Sequence, residues 1–94
     1  MGKGDLQRRP VLVRGGDGWA EYRLEFAGDI VDETAGVFLA LNLVAGEACA
    51  VETGAGTAEL RFDESMVVPA SVGAFGLHNL GERPCRVVKA FVET

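Results

Sequence analysis

The stretch D-E-S-M-V-V-P-A-S-V-G-A-F-G-L-H-N, Asp63 to Asn79, decides how this chain folds. Ser65 to Val68 is a short apolar run that closes at Pro69, which has no N–H to offer a ladder. After Gly73 the pattern alternates: Phe75 and Leu77 fall on one side, Ala74, Gly76 and His78 on the other. Two strands separated by a proline turn account for both runs. If Phe75 and Leu77 face a core, His78, the only histidine, faces out.

The same texture extends in both directions. Upstream, Glu47 to Thr53 and Thr57 to Phe62 flank Gly54-Ala55-Gly56, which reads as a β-hairpin with Leu60 and Phe62 pointing in. Val37 to Ala45 is apolar on both faces and reads as a central strand covered on each side, with Asn42 as its polar exception. Ala27 to Gly36 is an acidic connection in which Asp32 to Ala35 suits one helical turn. Trp19 to Phe26 alternates, with Ala20, Tyr22, Leu24 and Phe26 facing the core. Arg9 to Arg14 is a first strand, and Gly15 to Gly18 a turn. Downstream, Gly81 to Pro84 turns the chain into a last strand, Cys85 to Val92. The chain is therefore expected to be all-β, an antiparallel jelly-roll barrel of about eight short strands. Residues 1–94 form one domain, with 1–8 as a flexible leader.

Composition narrows the function classes. The formal charge is −5 and the pI near 4.7, which disfavours nucleic acid, whose phosphates need clustered Lys and Arg. The basic group Lys3, Arg8 and Arg9 is too small for that task. No apolar run is long enough to span a membrane, and the first ten residues carry no apolar segment of a secretory signal. Cys49 and Cys85 lie in apolar runs and read as reduced, buried thiols of a cytoplasmic protein. A bridge between them would require neighbouring strands.

The spacing around Asp63 to Asn79 resembles the second conserved motif of cupins: glycine, five residues, proline, any, glycine, two residues, histidine, three residues, asparagine. Pro69 matches. Asp63 stands at the first glycine, Ser71 at the second, Ala74 at the histidine and His78 at the asparagine. The first cupin motif, with its paired H-x-H and later Glu, is missing, and Val37 to Phe62 contains no histidine. The variant V-V-P-A-S-V-G-A-F, Val67 to Phe75, followed by V-V-K-A-F-V, Val87 to Val92, is similar to the C-terminal barrel of type I mannose-6-phosphate isomerases. Gly46 to Ser65 fits the hairpin of that barrel, and the resemblance runs from Trp19 to Thr94. It implies a cupin-like fold. In that family, mannose 6-phosphate and fructose 6-phosphate interconvert at a zinc held by Gln, two His and Glu of an upstream catalytic domain. This chain has no Gln-x-His and too few histidines, so no catalytic residue carries over.

The expectation that follows is a non-catalytic cupin-like module acting in packing, oligomerisation or accessory sugar-phosphate metabolism. No catalytic residue, metal or cofactor is expected. Its partner would be a second copy of the chain, as a homodimer, or a catalytic domain. The alternatives are a binder of a small carbohydrate or phosphosugar, with Asn42, His78 and Lys89 as ligand contacts near the barrel mouth, or a small enzyme, an aldose–ketose isomerase or otherwise, using His78 or Glu59 and Glu64. Each residue also has a plainer reading. Asn42 suits a structural hydrogen bond and His78 a solvated or hydrogen-bonded role. Lys89 suits either a barrel mouth or protection of an edge strand. Glu59, Arg61, Asp63 and Glu64 suit a wetted face. Gly15 to Gly18 lacks the helix and lysine of a phosphate loop.

Overall fold

Alternation fixes the core. The computed structural model describes residues 11–16 and 19–92 and contains nine strands. These are β1 (Val11–Gly16), β2 (Trp19–Phe26), β3 (Asp29–Glu33), β4 (Leu39–Ala45), β5 (Ala48–Thr53), β6 (Gly56–Arg61), β7 (Ser65–Val68), β8 (Ala74–Asn79) and β9 (Cys85–Val92). One 3-10 turn, Ala70–Val72, links β7 to β8. The leader 1–8, Arg9, Pro10, Asp17 and Gly18 lie outside the described residues.

Two antiparallel sheets face each other. One has the order β1-β2-β9-β4-β7, the other β3-β8-β5-β6. Leu24, Phe26, Leu39, Leu41, Leu43, Val68, Cys85 and Val87 project inward from the first. Ile30, Cys49, Val51, Leu60, Phe75 and Leu77 meet them from the second. Sheets packed in this way stand about 10 Å apart, so each inward side chain touches the opposite layer. The fold is an all-β jelly-roll barrel.

Four expectations need correction. Asp29 to Glu33 is a strand, where the acidic connection suggested a helical turn. It pairs with β8, and Ile30 faces the core while Asp29, Val31 and Glu33 face solvent. The carboxylates of the solvent face had hidden its alternation. Phe62 is 58 % exposed rather than inward, because β6 ends at Arg61 and the chain turns through Asp63 at φ +70°. β4 is central, between β9 and β7, but the described residues cover it only on its inner face. Lys89 guards no edge, since β9 is the middle strand of its sheet.

The left-handed backbone at Asp63 explains one motif position. A glycine there would adopt that conformation freely, and aspartate is among the few other residues that tolerate it. Gly73, at φ +75°, ends the 3-10 turn and starts β8.

Candidate functional site

Asn42, His78 and Lys89 occupy three different surfaces of the barrel. Asn42 projects from the outer face of β4. Its Nδ2 donates to Glu64 O at 2.9 Å and to Ser65 Oγ at 2.9 Å. Those bonds tie β4 to the turn that leads into β7, its register partner. The contact is intramolecular bracing.

His78 projects from the outer face of the other sheet, as the inward positions of Phe75 and Leu77 require. Its Nδ1 lies 3.0 Å from Asp29 Oδ1 on β3 and its Nε2 lies 2.8 Å from Glu52 Oε1 on β5. The imidazole leans over Gly76, where a Cβ would lie 3.0 Å from Nε2. Only the imidazolium can donate to both carboxylates at once. The hydrogen bonds to Glu52 and Asp29 accordingly raise the pKa above its ordinary value of 6.5. The arrangement clips three adjacent strands together across one face.

Lys89 projects inward and is only 8 % exposed. On β9 it stands opposite Tyr22 of β2 and Leu41 of β4. Its Nζ reaches across the barrel to Asp32 Oδ2 of β3, at 2.8 Å. Tyr22 and Phe91 stack with their ring centroids 5.6 Å apart, and the ammonium lies 5.8 and 5.9 Å from the two rings. Next to this group, Thr34 is buried and its Oγ1 donates to Ala70 O at 2.8 Å and accepts from Gly73 N–H at 3.2 Å. Thr34 thereby holds the 3-10 turn against the end of β3.

A hollow of about 550 Å³ lies among Val44, Gly46, Glu47, Phe62 and Arg83, and two more lie elsewhere on the barrel. One, of about 350 Å³, lies where the β5–β6 hairpin tip meets β7 and the 3-10 turn, and is lined by Val51, Thr53, Met66, Val68, Pro69 and Val72 among others. The other, of about 240 Å³, lies beside Cys85, Phe26 and Pro84. Neither is lined by Asn42, His78 or Lys89.

The donor set does not fit the metal that the cupin resemblance implies. Among the described residues no group of three or more His, Cys, Asp or Glu converges as ligands. Inside the barrel the fixed cation is the Lys89 ammonium, and its carboxylate partner is already engaged. Glu59 pairs with Arg61 at 3.2 Å on the surface, and Glu64 Oε1 accepts the Arg61 backbone N–H at 2.9 Å. Neither glutamate joins His78.

Sequence reading missed Asp32, Asp29, Glu52 and Tyr22 as the partners of these cations. For Asp32 a signal existed: it shares parity with Ile30 and Thr34, both buried.

Solved structures show the same architecture. The cupin domain of Schizosaccharomyces pombe Cnp3 superposes with a TM-score of 0.74 at 16% identity, over 90% of this chain and 60% of that one. A protein from Neisseria meningitidis superposes with a TM-score of 0.73 at 23% identity, over 90% of this chain and 84% of that one. A provisionally assigned mannosephosphate isomerase from Archaeoglobus fulgidus gives a TM-score of 0.77 at 21% identity, over 86% of this chain and 25% of that one. The chain thus spans less than two thirds of the first of these and a quarter of the third. No family model matches the sequence, and no curated protein sequence matches it. No helix among the described residues is long and apolar enough to cross a membrane.

Proposed function

We propose, with the cupin fold as premise, that the chain is a non-catalytic packing module that pairs with a second copy of itself through the outer face of the five-stranded sheet. The observation that carries this reading is where the exposed apolar side chains lie. Of the exposed large apolar side chains, Val44, Val67 and Val92 lie on that face and Phe38 leads into it, while Val31, Phe62 and Leu80 lie elsewhere. Val67 is 59 % exposed and stands beside Ala40, which stands beside Ala90, so small apolar residues fill the centre between larger ones. An exposed apolar patch on a sheet face, bordered here by the charged group Arg23, Glu25 and Arg86, is an ordinary surface for association, and a self-complementary one closes a two-fold dimer. The interior supports the non-catalytic half of the reading. Its ammonium and carboxylate neutralise each other, and the sole imidazole is turned outward between two carboxylates. Two free thiols suit a reducing compartment such as the cytoplasm.

Sedimentation equilibrium of the full chain tests the proposal. A dimer is expected, together with a shift of Val67→Glu to monomer while its circular dichroism stays unchanged. A chain that is monomeric at hundreds of micromolar would overturn it. So would turnover of mannose 6-phosphate that is lost in Lys89→Met.

A second reading rests on the hollow beside Thr53 and Met66. There a small ligand, carbohydrate or phosphosugar, would meet the Thr53 and Thr57 hydroxyls above an apolar floor. Titration with mannose 6-phosphate, followed by NMR, would favour it only if saturable shifts cluster at those residues.

A further inference from the structure

Cys49 and Cys85 are the only cysteines in the chain, and the proposed packing role makes no use of either. They lie on opposite sheets, Cys49 on β5 and Cys85 at the start of β9. Both are buried in the same core cluster. Cys85 Sγ is 3.5 Å from the carbonyl oxygen of Ala48, the residue just before Cys49. Each thiol is close enough to perturb the ionisation of the other. Gly46 enforces the approach. It sits at φ +102°, and a Cβ there would lie 3.0 Å from Cys85 Cα and 3.1 Å from Cys85 Sγ. The turn from β4 into β5 therefore rests directly on Cys85, and only glycine leaves the room.

We propose that Cys49 and Cys85 form an oxidation site, at which a hydroperoxide converts the two thiols into a disulfide that staples the two sheets together. The hollow of about 240 Å³ gives a reagent of that size a place beside Cys85, among Phe26, Ala45 and Pro84. With hydrogen peroxide, the Cys85 thiolate attacks one peroxide oxygen. An S–O bond forms and the O–O bond breaks, and the departing hydroxide takes a proton and leaves as water. Cys85 is now a sulfenic acid. The Cys49 sulfur then attacks the Cys85 sulfur. The S–S bond forms, the S–O bond breaks, and the hydroxide leaves as water with the Cys49 proton. Two thiols lose two electrons and two protons, and one peroxide becomes two waters.

The environment sets the order and the pace. Cys85 borders the hollow, whereas Cys49 is fully enclosed and its thiol is pushed up to about 12 by burial and by the neighbouring Cys85. Burial and the Glu47 carboxylate raise Cys85 as well. The thiolate is the reactive form, so the site is slow at neutral pH and its rate climbs about tenfold per pH unit while Cys85 remains mostly protonated. The sheets share no ladder, so the new bond would be the only covalent link between them outside the chain path. It would close a long loop and raise the melting temperature by about 10 °C.

The experiment treats the reduced full chain with hydrogen peroxide at several pH values, alkylates it in denaturant, and maps the peptides. The expected result is simultaneous loss of both thiols, a Cys49–Cys85 linked peptide from monomeric chain, and a rise in melting temperature that dithiothreitol reverses. In Cys49→Ser, Cys85 is expected to stop at the sulfenic or sulfinic acid with no such rise. If that variant does not fold, the parent's peptide map decides alone. The proposal is overturned if both cysteines remain alkylatable after long exposure. It is also overturned if Cys85 overoxidises beside a free Cys49, or if the bridge forms only between two chains.

Discussion

Asp29 and Asp32 sit on the same short strand, on opposite faces, and each holds a cation. Asp32 points into the barrel and meets Lys89 of the other sheet, with side chains 17 % and 11 % exposed. Asp29 points into solvent and meets His78 of the neighbouring strand, with its own side chain 73 % exposed. The inner pair spans two layers that share no backbone hydrogen bonds. The outer pair reinforces a ladder that already exists. The dielectric around each decides what it is worth. In the interior, losing one partner strands a charge that little water reaches, whereas at the surface water replaces the lost partner. Strand β3 is thus fastened by its inward aspartate and only trimmed by its exposed one.

The comparison breaks most sharply at Asp32. Asp32→Ala is expected to lower stability by about 3 kcal/mol, because it leaves the Lys89 ammonium buried without its carboxylate. Urea denaturation checks this, and a loss under ~1 kcal/mol would mean that Lys89 escapes to solvent. The double variant Asp32→Leu with Lys89→Met is expected to return to within about 1 kcal/mol of the parent, since matched apolar groups restore an interior without desolvated charge. Thr34→Val comes next. It removes two hydrogen bonds that hold the 3-10 turn and costs about 2 kcal/mol in the same assay.

The outer cluster gives the smallest effect and a different signature. The folded pKa of His78 lies above its unfolded value of 6.5. Its contribution is therefore complete below that unfolded value and is lost as pH rises through the folded pKa. With a third of the imidazole side chain exposed, solvent screening holds the contribution to about 0.5–1 kcal/mol. The urea midpoint of the parent should fall as pH rises above 6.5, and His78→Ala should remove that slope. An equal slope in the variant would assign the effect to other groups.

Most strands were legible in the sequence because one face is apolar and the other polar. Leu24 and Phe26 on β2, and Phe75 and Leu77 on β8, show it directly. β3 was not legible, because five residues with three carboxylates read as a loop until a partner strand is supplied. The inward turn of Lys89 could be suspected from its apolar neighbours. Its partner could not, since Asp32 lies on the opposite sheet and far away along the chain. Phe62 misled for a local reason: its parity matches Leu60, but the strand ends between them. The shared cluster of Cys49 and Cys85 was hidden in the same way, because strands that share no ladder can still turn two side chains into one core.

The place of β9 in its sheet sets an order of events. β2 and β4 never pair with each other and meet only through β9, the final strand of the fold. Until residues 85–92 arrive, the five-stranded sheet exists as two unconnected two-stranded fragments, β1-β2 and β4-β7, with β2 and β4 unpaired on the sides that face β9. Assembly must wait for a closure spanning most of the sequence, and topologies dominated by such distant pairings fold in milliseconds to seconds. In pulsed hydrogen exchange, the amides that β2 and β4 bond to β9 should gain protection in one kinetic step. A nascent chain stalled before Cys85 should leave those edges free for a holdase to cover.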